Sequence, residues 1–171
     1  MTSYSEPLDP ITKTRIKMRL YQNVENTPEL RKKILGGELR CCIVKPELVY
    51  DPLQVTVAAN KALTNKKQTT KSVFTEILFN LSPSTNISQS LLKFGINDQD
   101  KNLLVVTLEK EGEARLSEEV FSAIQGSPLD ILHLGCLSDV GAIRKLYKIT
   151  DKEHESVNLI DSVVSRIALK E

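Results

Sequence analysis

Few residues of this chain have the type and spacing that catalysis or metal binding needs. Its two histidines, His133 and His154, have no neighbours at metal-ligand spacing, so no metal site is predicted. Cys136 follows three residues after His133 and could form a thiol–imidazole nucleophile, but in an apolar stretch this spacing is more typical of core packing. Gly36-Gly37 is not followed by the Lys-Ser/Thr of a phosphate loop, and no GxGxxG pattern occurs. We therefore predict that the protein is not an enzyme and has no catalytic residue, metal or cofactor.

The cysteines and the composition bound the class and the location of the protein. Cys41 and Cys42 are adjacent and Cys136 stands alone, so we expect no disulfide framework and three buried core thiols. Hydrophobic residues make up 40% of the 171 positions and charged residues 26%, which is typical of soluble globular proteins. No apolar run approaches the roughly 20 residues of a membrane helix, and the chain starts without a signal-peptide pattern. We expect a protein of the cytoplasm and nucleus with no membrane partner.

The positive charges are distributed unevenly, although the net charge is only +1. No acidic residue lies between Asp51 and Glu76, and all four charged residues there are lysines. A second acid-free basic stretch covers residues 13–19. Lysines in such stretches suit contacts to the phosphates of a nucleic acid. They are also common on edge strands and at helix ends, so the charges alone leave both interpretations open.

Hydrophobic periodicity and capping residues predict the secondary structure. Ile16, Met18 and Leu20 alternate with basic residues, which predicts a half-buried strand. The predicted strands lie at residues 13–20, 42–44, 72–81 and 102–109. The predicted helices begin near Thr27, Asp51, Asn86, Ser117, Ser138 and Ser156.

These elements predict one domain over residues 1–171, with residues 1–12 as a flexible N-terminal tail. The fold class is mixed α/β (α+β), with helices packed on a small, mainly antiparallel sheet. Residues 72–81 are apolar at nearly every position, which favours a central strand covered on both faces. In the helix after Asp51, Leu53, Val57 and the alanines are expected on the buried side. In the helix after Asn86, Leu91, Leu92 and Phe94 are expected on the apolar side.

A polar corner, residues 82–86, joins two apolar elements within the stretch FNLSPSTNISQSLLKFGI. Pro83 ends the first element, and Asn86 with Gln89 has the pattern of a helix capping box. Free backbone N–H groups and small polar side chains at such a corner suit an anion or a base edge. The alternative is that Pro83 and Asn86 only end a strand and cap a helix.

The same corner carries a family resemblance. TEILFNLSPSTNIS followed by LLKFGI resembles the signature of the TPRKB family, the kinase-binding subunit of the KEOPS (also EKC) complex. NVENTPELRKKILGGEL and VYDPLQVTVAANKAL are similar to the first two helices of that family, and IRKLYKI with the amphipathic helix after it is similar to its end. The ordered matches extend from about Arg15 to Ala168, so the resemblance covers most of the chain.

The resemblance implies an accessory, non-catalytic role. KEOPS makes the threonylcarbamoyl modification on the adenosine next to the anticodon of tRNAs, and a different, metal-dependent subunit carries out the catalysis. Members of this family bind a small atypical kinase, PRPK, which acts as an ATPase in the complex and which we expect the subunit to stimulate. Archaeal relatives also hold the single-stranded 3′ end of the tRNA. The implied partners are a PRPK-like kinase, the other KEOPS subunits indirectly, and tRNA.

Two sets of residues are therefore candidate sites. The candidates for tRNA binding are Lys61, Lys66, Lys67, Lys71, Ser82, Ser84 and Asn86. Relatives often carry arginine at the position of Lys71, and lysine lacks the forked donor that lets arginine stack on a base. The candidates for the kinase interface are apolar residues of two helices, with one residue just beyond the first helix, that are expected to be uncovered: Ile87, Leu91, Phe94, Ile96, Ile143, Leu146 and Tyr147. The alternative for each of them is burial in the core, which is the more common place for such a side chain. The alternative functions are a free-standing RNA-binding domain without a kinase partner and, less favoured, a hydrolase that uses Cys136.

Overall fold

The computed structural model describes residues 4–65 and 67–170. Within them the chain forms two compact units, each built from two segments. The first unit holds the described residues up to Lys45 together with Gly95–His133. The second holds Pro46–Phe94 together with the described residues from Leu134 onward. The mixed α/β class is confirmed, whereas the assignment of one domain to residues 1–171 stays a prediction.

Both kinds of secondary structure are present. The strands are β1 (Tyr4–Asp9), β2 (Thr14–Gln22), β3 (Cys42–Val44), β4 (Leu103–Glu109) and β5 (Ser127–Leu129). The helices are α1 (Thr27–Leu35), α2 (Pro52–Thr64), α3 (Val73–Leu81), α4 (Ile87–Phe94), α5 (Ala114–Ser122), α6 (Leu134–Leu137), α7 (Val140–Leu146), α8 (Asp151–Ser156) and α9 (Leu159–Leu169). Two short 3-10 turns lie at Pro46–Leu48 and Ile131–His133.

The sheet belongs to the first unit, and its described strands all pair antiparallel. Their order is β1-β2-β4-β3, and β5 also pairs with β2. Because successive side chains of a strand point to opposite faces, Ile16, Met18 and Leu20 share one face of β2. All three are fully buried, at 0% exposure. The predicted half-buried strand and the mainly antiparallel sheet are therefore confirmed.

Strand β1 corrects the prediction of a flexible N-terminal tail. Residues 4–9 pair with β2, with Tyr4 opposite Met18 and Pro7 opposite Arg15. Pro7 and Pro10 argue against a strand, because proline has no backbone N–H to donate. An edge strand tolerates proline at positions that face away from its one neighbouring strand, since no ladder hydrogen bond is needed there. Residues 1–3 lie outside the described part of the chain.

Helices α1 and α5 supply part of the core of the first unit. Leu30 of α1 and Phe121 of α5 belong to one buried cluster with Tyr21 and Val105 of the sheet. Helix α1 starts at Thr27 as predicted. Helix α5 starts at Ala114, three residues before the predicted start at Ser117. The hydroxyl of Ser117 is buried and donates a 2.7 Å hydrogen bond to Oε2 of Glu109. Ser117 therefore attaches α5 to β4 and does not cap the helix.

The regular secondary structure described in the second unit is helical, and α2 packs against both α3 and α9. Helix α3 packs in turn against α4. A buried polar link joins four elements of this unit: the 3-10 turn at Pro46–Leu48, α2, α3 and the end of α7. Nε2 of Gln54 donates to the carbonyl oxygen of Leu48 at 2.9 Å and to the hydroxyl oxygen of Tyr147 at 3.1 Å, while that hydroxyl donates to the carbonyl of Leu81.

Helix α3 replaces the strand predicted over residues 72–81. Ser72 caps it: the Ser72 hydroxyl accepts from the N–H of Thr75 at 3.2 Å, and Oγ1 of Thr75 accepts from the N–H of Ser72 at 3.1 Å. The carboxylate of the buried Glu76 accepts from the N–H of Thr70 at 2.8 Å, which ties the preceding loop to the first turn. A continuous apolar run fits a buried helix as well as a buried strand, and the Ser-x-x-Thr cap was the signal that separates them.

Three further helical predictions need correction. On α2 the buried side contains Val55, Ala58 and Ala59, whereas Leu53 is 43% exposed. The predicted buried Val57 is only half-buried. The last helix was predicted to begin at Ser156. It begins at Leu159, and Ser156 is the last residue of α8. On α4, Leu92 was expected on the apolar side but is 78% exposed.

Candidate binding surfaces of the helical unit

The corner at residues 82–86 is held by its own polar side chains. The Ser82 hydroxyl accepts from the N–H of Ser84 at 3.1 Å, and the Ser84 hydroxyl accepts from the N–H of Asn86 at 3.0 Å. Oδ1 of Asn86 then accepts from the N–H of Gln89 at 3.0 Å, so the prediction that Asn86 caps α4 is confirmed. The N–H of Asn86 bonds to Ser84 in place of the Gln89 side chain that a capping box would use. These three candidates therefore lie next to one another in one chain of local hydrogen bonds.

The accessible chemistry of the corner is that of Ser84 and Asn86. Ser82 is 3% exposed, whereas Ser84 is half-buried and Asn86 is exposed. An amide group donates and accepts hydrogen bonds, and a hydroxyl whose oxygen accepts from an N–H still carries a proton to donate. The corner can thus offer both kinds of bond to a base edge, and donors to a phosphate oxygen.

Lys170 adds a positive charge to the corner that the sequence did not predict. Its ammonium group donates to the carbonyl oxygen of Ser82 at 2.7 Å and to that of Phe79. Burial, and then the positive charge of Lys61, lower the pKa of Lys170 to about 8, while the negative charge of Glu76 opposes this change. No local pattern reveals the contact, since Lys170 and Ser82 are 88 residues apart in the sequence.

Lys61 is occupied by bonds to the main chain. Its Nζ donates to the carbonyl of Ile167 at 2.9 Å and to that of Lys170 at 2.6 Å, at the C-terminal end of α9. Burial lowers its pKa. A lysine that binds two main-chain carbonyls is engaged in holding a helix end, so its prediction as a free phosphate contact is corrected.

The other lysines of the acid-free stretch lie elsewhere. Lys67 and Lys71 are exposed, and within the described residues neither forms an ion pair. Lys66 lies outside the described part of the chain. Lys71 precedes α3 and Ser82 follows it, so the length of this helix, about 14 Å at about 1.5 Å per residue, lies between them along its axis. Lys71 and the corner thus belong to opposite ends of α3.

The basic residues of β2 are largely neutralised by acids of the first unit. Nζ of Lys17 lies 3.1 Å from Oε1 of Glu109. The guanidinium of Arg19 lies over the ring of Phe121, 4.3 Å from its centre, and 3.5 Å from Oε1 of Glu118. Paired and partly covered cations are poor contacts for a nucleic acid. The basic residues of β2 are therefore better explained by ion pairs within the protein than by contacts to phosphates.

Three of the predicted kinase-interface residues are core residues. Phe94 and Ile143 are 0% exposed and Tyr147 is 2% exposed. The rings of Phe94 and Tyr147 pack with their centres 6.4 Å apart, and burial raises the pKa of Tyr147. The prediction that these side chains are uncovered is therefore wrong, because the apolar side of α7 and the end of α4 form the interior of this unit.

The remaining interface candidates keep some exposed surface. Ile87 is 38% exposed, and Leu91 and Leu146 are half-buried. Ile96 belongs to the first unit, where it packs against the buried cluster beside the sheet. The structure adds Leu92, which the sequence placed on the wrong side of α4. Helix α4 therefore offers Ile87, Leu91 and Leu92 as accessible apolar contacts.

The structure also revises the cysteines. Cys41 and Cys42 are buried as predicted, and burial raises the pKa of Cys41 to about 12. Cys136 was also predicted to be buried, but it is exposed. Among the described residues no group of histidine, cysteine and acidic side chains could hold a metal ion. No described helix has the length and apolarity that crossing a bilayer requires.

Comparison with known proteins identifies the family. The family model described as "Kinase binding protein CGI-121" matches residues 21–171. The EKC/KEOPS complex subunit TPRKB of Danio rerio is 37% identical over 155 residues, which cover 89% of this chain and 89% of that protein. The EKC/KEOPS complex subunit cgi121 of Aspergillus fumigatus is 30% identical over 168 residues, covering 91% of this chain and 89% of that protein. The chain therefore belongs to the CGI-121 family of kinase-binding proteins.

Proposed function

We propose that this protein is a non-catalytic subunit of a KEOPS-type complex that binds and stimulates the small atypical kinase of that complex. The match of the kinase-binding family model to residues 21–171 carries the proposal. The relatives from Danio rerio and Aspergillus fumigatus bear the names of EKC/KEOPS complex subunits, which supports the same assembly. The other subunits are then indirect partners, and the cytoplasm and nucleus are the proposed location.

The exposed apolar residues of α4 are the proposed contact with the kinase. Leu92 is 78% exposed and Ile87 is 38% exposed, with the half-buried Leu91 beside them. Residues 87 and 91 are one turn apart on a helix, so their side chains can be covered together by a partner. An apolar side chain that water surrounds in the free subunit gains free energy when a partner covers it.

Calorimetric titration of the purified protein into its cognate kinase tests the proposal, together with the ATPase rate of the kinase alone and in the complex. We expect saturable binding and a higher ATPase rate in the complex. Absence of binding would contradict the kinase-binding role, while binding without a change in the ATPase rate would contradict only the stimulation.

We propose a second role for the same subunit, which is to hold single-stranded RNA of the tRNA 3′ end at the corner. The exposed Lys67 and Lys71 precede α3, at the opposite end of this helix from the corner, so they would contact phosphates of an RNA strand that extends beyond the corner along α3. Neither lysine forms an ion pair within the described residues, which leaves both charges available for such a contact. The accessible polar groups of Ser84 and Asn86 supply hydrogen bonds to bases. A contact with phosphates makes affinity depend on salt, and removal of one such contact is expected to reduce the slope of log affinity against log salt by about 0.7 for a single strand.

Measurement of RNA affinity across a salt series tests this second role. Lys67→Gln and Lys71→Gln are the variants, and Lys152→Gln, an exposed lysine of α8, is the matched control. We expect a smaller slope for the first two variants and an unchanged slope for the control. If the chain binds RNA but not the kinase, the alternative of a free-standing RNA-binding domain becomes the better account.

A further inference from the structure

Two lysines of the second unit bind carbonyl oxygens at helix ends. Lys61 of α2 binds the carbonyls of Ile167 and Lys170. The side chain of Lys170 then binds the carbonyls of Phe79 and Ser82. Lys61 thus holds the C-terminal end of α9, and Lys170 holds the C-terminal end of α3. The result is one connected path from α2 through the end of α9 to the corner.

The path ends on the main chain of the residue that organises the corner. The carbonyl of Ser82 accepts from Lys170 at 2.7 Å, and the hydroxyl of the same residue accepts from the N–H of Ser84 at 3.1 Å. Ser84 in turn holds the N–H of Asn86 at 3.0 Å. Because a displaced Ser82 would change both later bonds, the position of Ser84 and Asn86 depends on the bond from Lys170.

The side chain of Lys170 is itself held on several sides. Its Nζ lies 3.5 Å from the centre of the Phe79 ring, where a cation is attracted to the face of the aromatic system. The charged groups that act on it from the helices around it are Lys61 on α2 and Glu76 on α3. A half-buried ammonium bound to two carbonyls and a ring is poorly placed to meet a phosphate directly.

We propose that Lys170 is a positioning residue for the binding of single-stranded RNA, which it supports by holding Ser82 and thereby the corner. The inference rests on the proposed RNA-holding role. It assigns Lys170 and Lys61 to the support of the site, in contrast to the exposed Lys67, which would meet a phosphate. The distinction is measurable, because only a residue that neutralises a phosphate changes the salt dependence of binding.

The test is the affinity of the full chain for a synthetic single-stranded RNA with the sequence of a tRNA 3′ end, measured by anisotropy over a series of salt concentrations. The variants are Lys170→Met, Lys170→Arg and Lys61→Met, with Lys67→Gln as the variant that removes a phosphate contact. Circular dichroism and a titration against the kinase establish that each variant is folded. If Lys170→Met does not fold, Lys61→Met carries the test, because it loosens the end of α9 from which Lys170 extends.

We expect Lys170→Met to weaken RNA binding about fivefold or more with an unchanged salt slope, because a displaced corner would lose the equivalent of about one ordinary hydrogen bond to the RNA. Lys170→Arg keeps N–H donors and stacks on an aromatic ring, so its affinity should stay within about twofold of that of the wild type. Lys61→Met should weaken binding in the same way, by about twofold to threefold, again without a change of slope.

Three results would overturn the inference. Affinity of folded Lys170→Met within twofold of the wild type would remove the positioning role and leave the RNA-holding role intact. A salt slope reduced by about 0.7, as expected for Lys67→Gln, would mean that Lys170 contacts a phosphate directly. Absence of RNA binding by the wild-type chain at low salt would overturn both the RNA-holding role and this inference.

Discussion

The ammonium nitrogen of Lys170 lies 3.5 Å from the centre of the Phe79 ring and within hydrogen-bonding distance of the Ser82 carbonyl. A residue of the last helical segment is thereby joined to the end of α3. The contact combines a charge, an aromatic face and a main-chain acceptor, and burial lowers the pKa of Lys170 to about 8. It therefore leaves a signature in the pH dependence of stability.

The first prediction concerns Lys170 above neutral pH. The ordinary lysine pKa in an unfolded chain is about 10.4. Between this value and the folded pKa of about 8, the unfolded state binds more protons than the folded state, so the free energy of unfolding rises with pH. We expect the wild type to gain stability relative to Lys170→Met between pH 8 and about 10, as measured by urea unfolding.

The comparison with Lys170→Met removes the titration of the tyrosines and cysteines, which both proteins share. A stability difference that stays constant or shrinks as the pH rises would contradict the lowered pKa of Lys170.

The second prediction concerns acid. Two hydrogen bonds of 2.7 Å from the guanidinium of Arg166 lower the pKa of Glu153 to about 2. The folded pKa lies below the ordinary value of about 4.3, so the stabilisation is present above that value and is lost as the pH falls toward 2. We expect the Tm of Arg166→Gln to fall less steeply than that of the wild type between pH 5 and about 2.5. Parallel curves would contradict this account of the pair.

The third prediction concerns a close backbone approach in the first unit. A Cβ atom at Gly126 would lie 2.6 Å from Cγ2 of Val24 and 3.0 Å from the carbonyl oxygen of Gln22. Gly126→Ala should therefore cost about 1–3 kcal/mol in the free energy of unfolding, as overpacking does. The matched control is Gly135→Ala, where a Cβ would meet nothing within 4 Å.

Chemical denaturation measures both glycine variants. The control should change stability by no more than about 1 kcal/mol, and replacement of a helical glycine by alanine favours a gain. Equal stability of the two variants would refute the close approach at Gly126.

The fourth prediction concerns thiol reactivity. Cys136 is exposed, whereas Cys41 and Cys42 are buried, and burial raises the pKa of both thiols. Since the thiolate is the reactive form, native alkylation should label Cys136 rapidly and the other two slowly. Mass spectrometry of native and urea-unfolded protein distinguishes the sites. Labelling of Cys41 at the rate found in urea would show that the core around it is open.

Local patterns were enough for most of the secondary structure. Alternation predicted β2, and Asp51 with Pro52 predicted the start of α2, because these signals depend on neighbouring residues only. The same approach failed at α3, where an apolar run fits a buried strand as well as a buried helix. It also failed at β1, where prolines concealed an edge strand.

The candidate surfaces were harder to predict for a physical reason. The sequence of an apolar helix side does not show whether its residues are buried or accessible. Phe94 and Tyr147 are buried, whereas Leu92 is exposed. The charge on a lysine likewise does not reveal its acceptor. Lys61 and Lys170 bind carbonyls far away in the sequence, and only the folded chain brings donor and acceptor together.

The most direct test of the account is calorimetric titration of the cognate kinase with Leu92→Asp and with its matched control, Leu132→Asp. The two leucines are 78% and 85% exposed, so neither replacement should disturb packing, and circular dichroism verifies the fold. Leu92 lies on α4, whereas Leu132 lies in the 3-10 turn of the first unit. We predict that Leu92→Asp weakens kinase binding at least tenfold, about 1.4 kcal/mol, and that Leu132→Asp binds like the wild type. Wild-type affinity of folded Leu92→Asp would contradict the assignment of α4 as the kinase-binding surface.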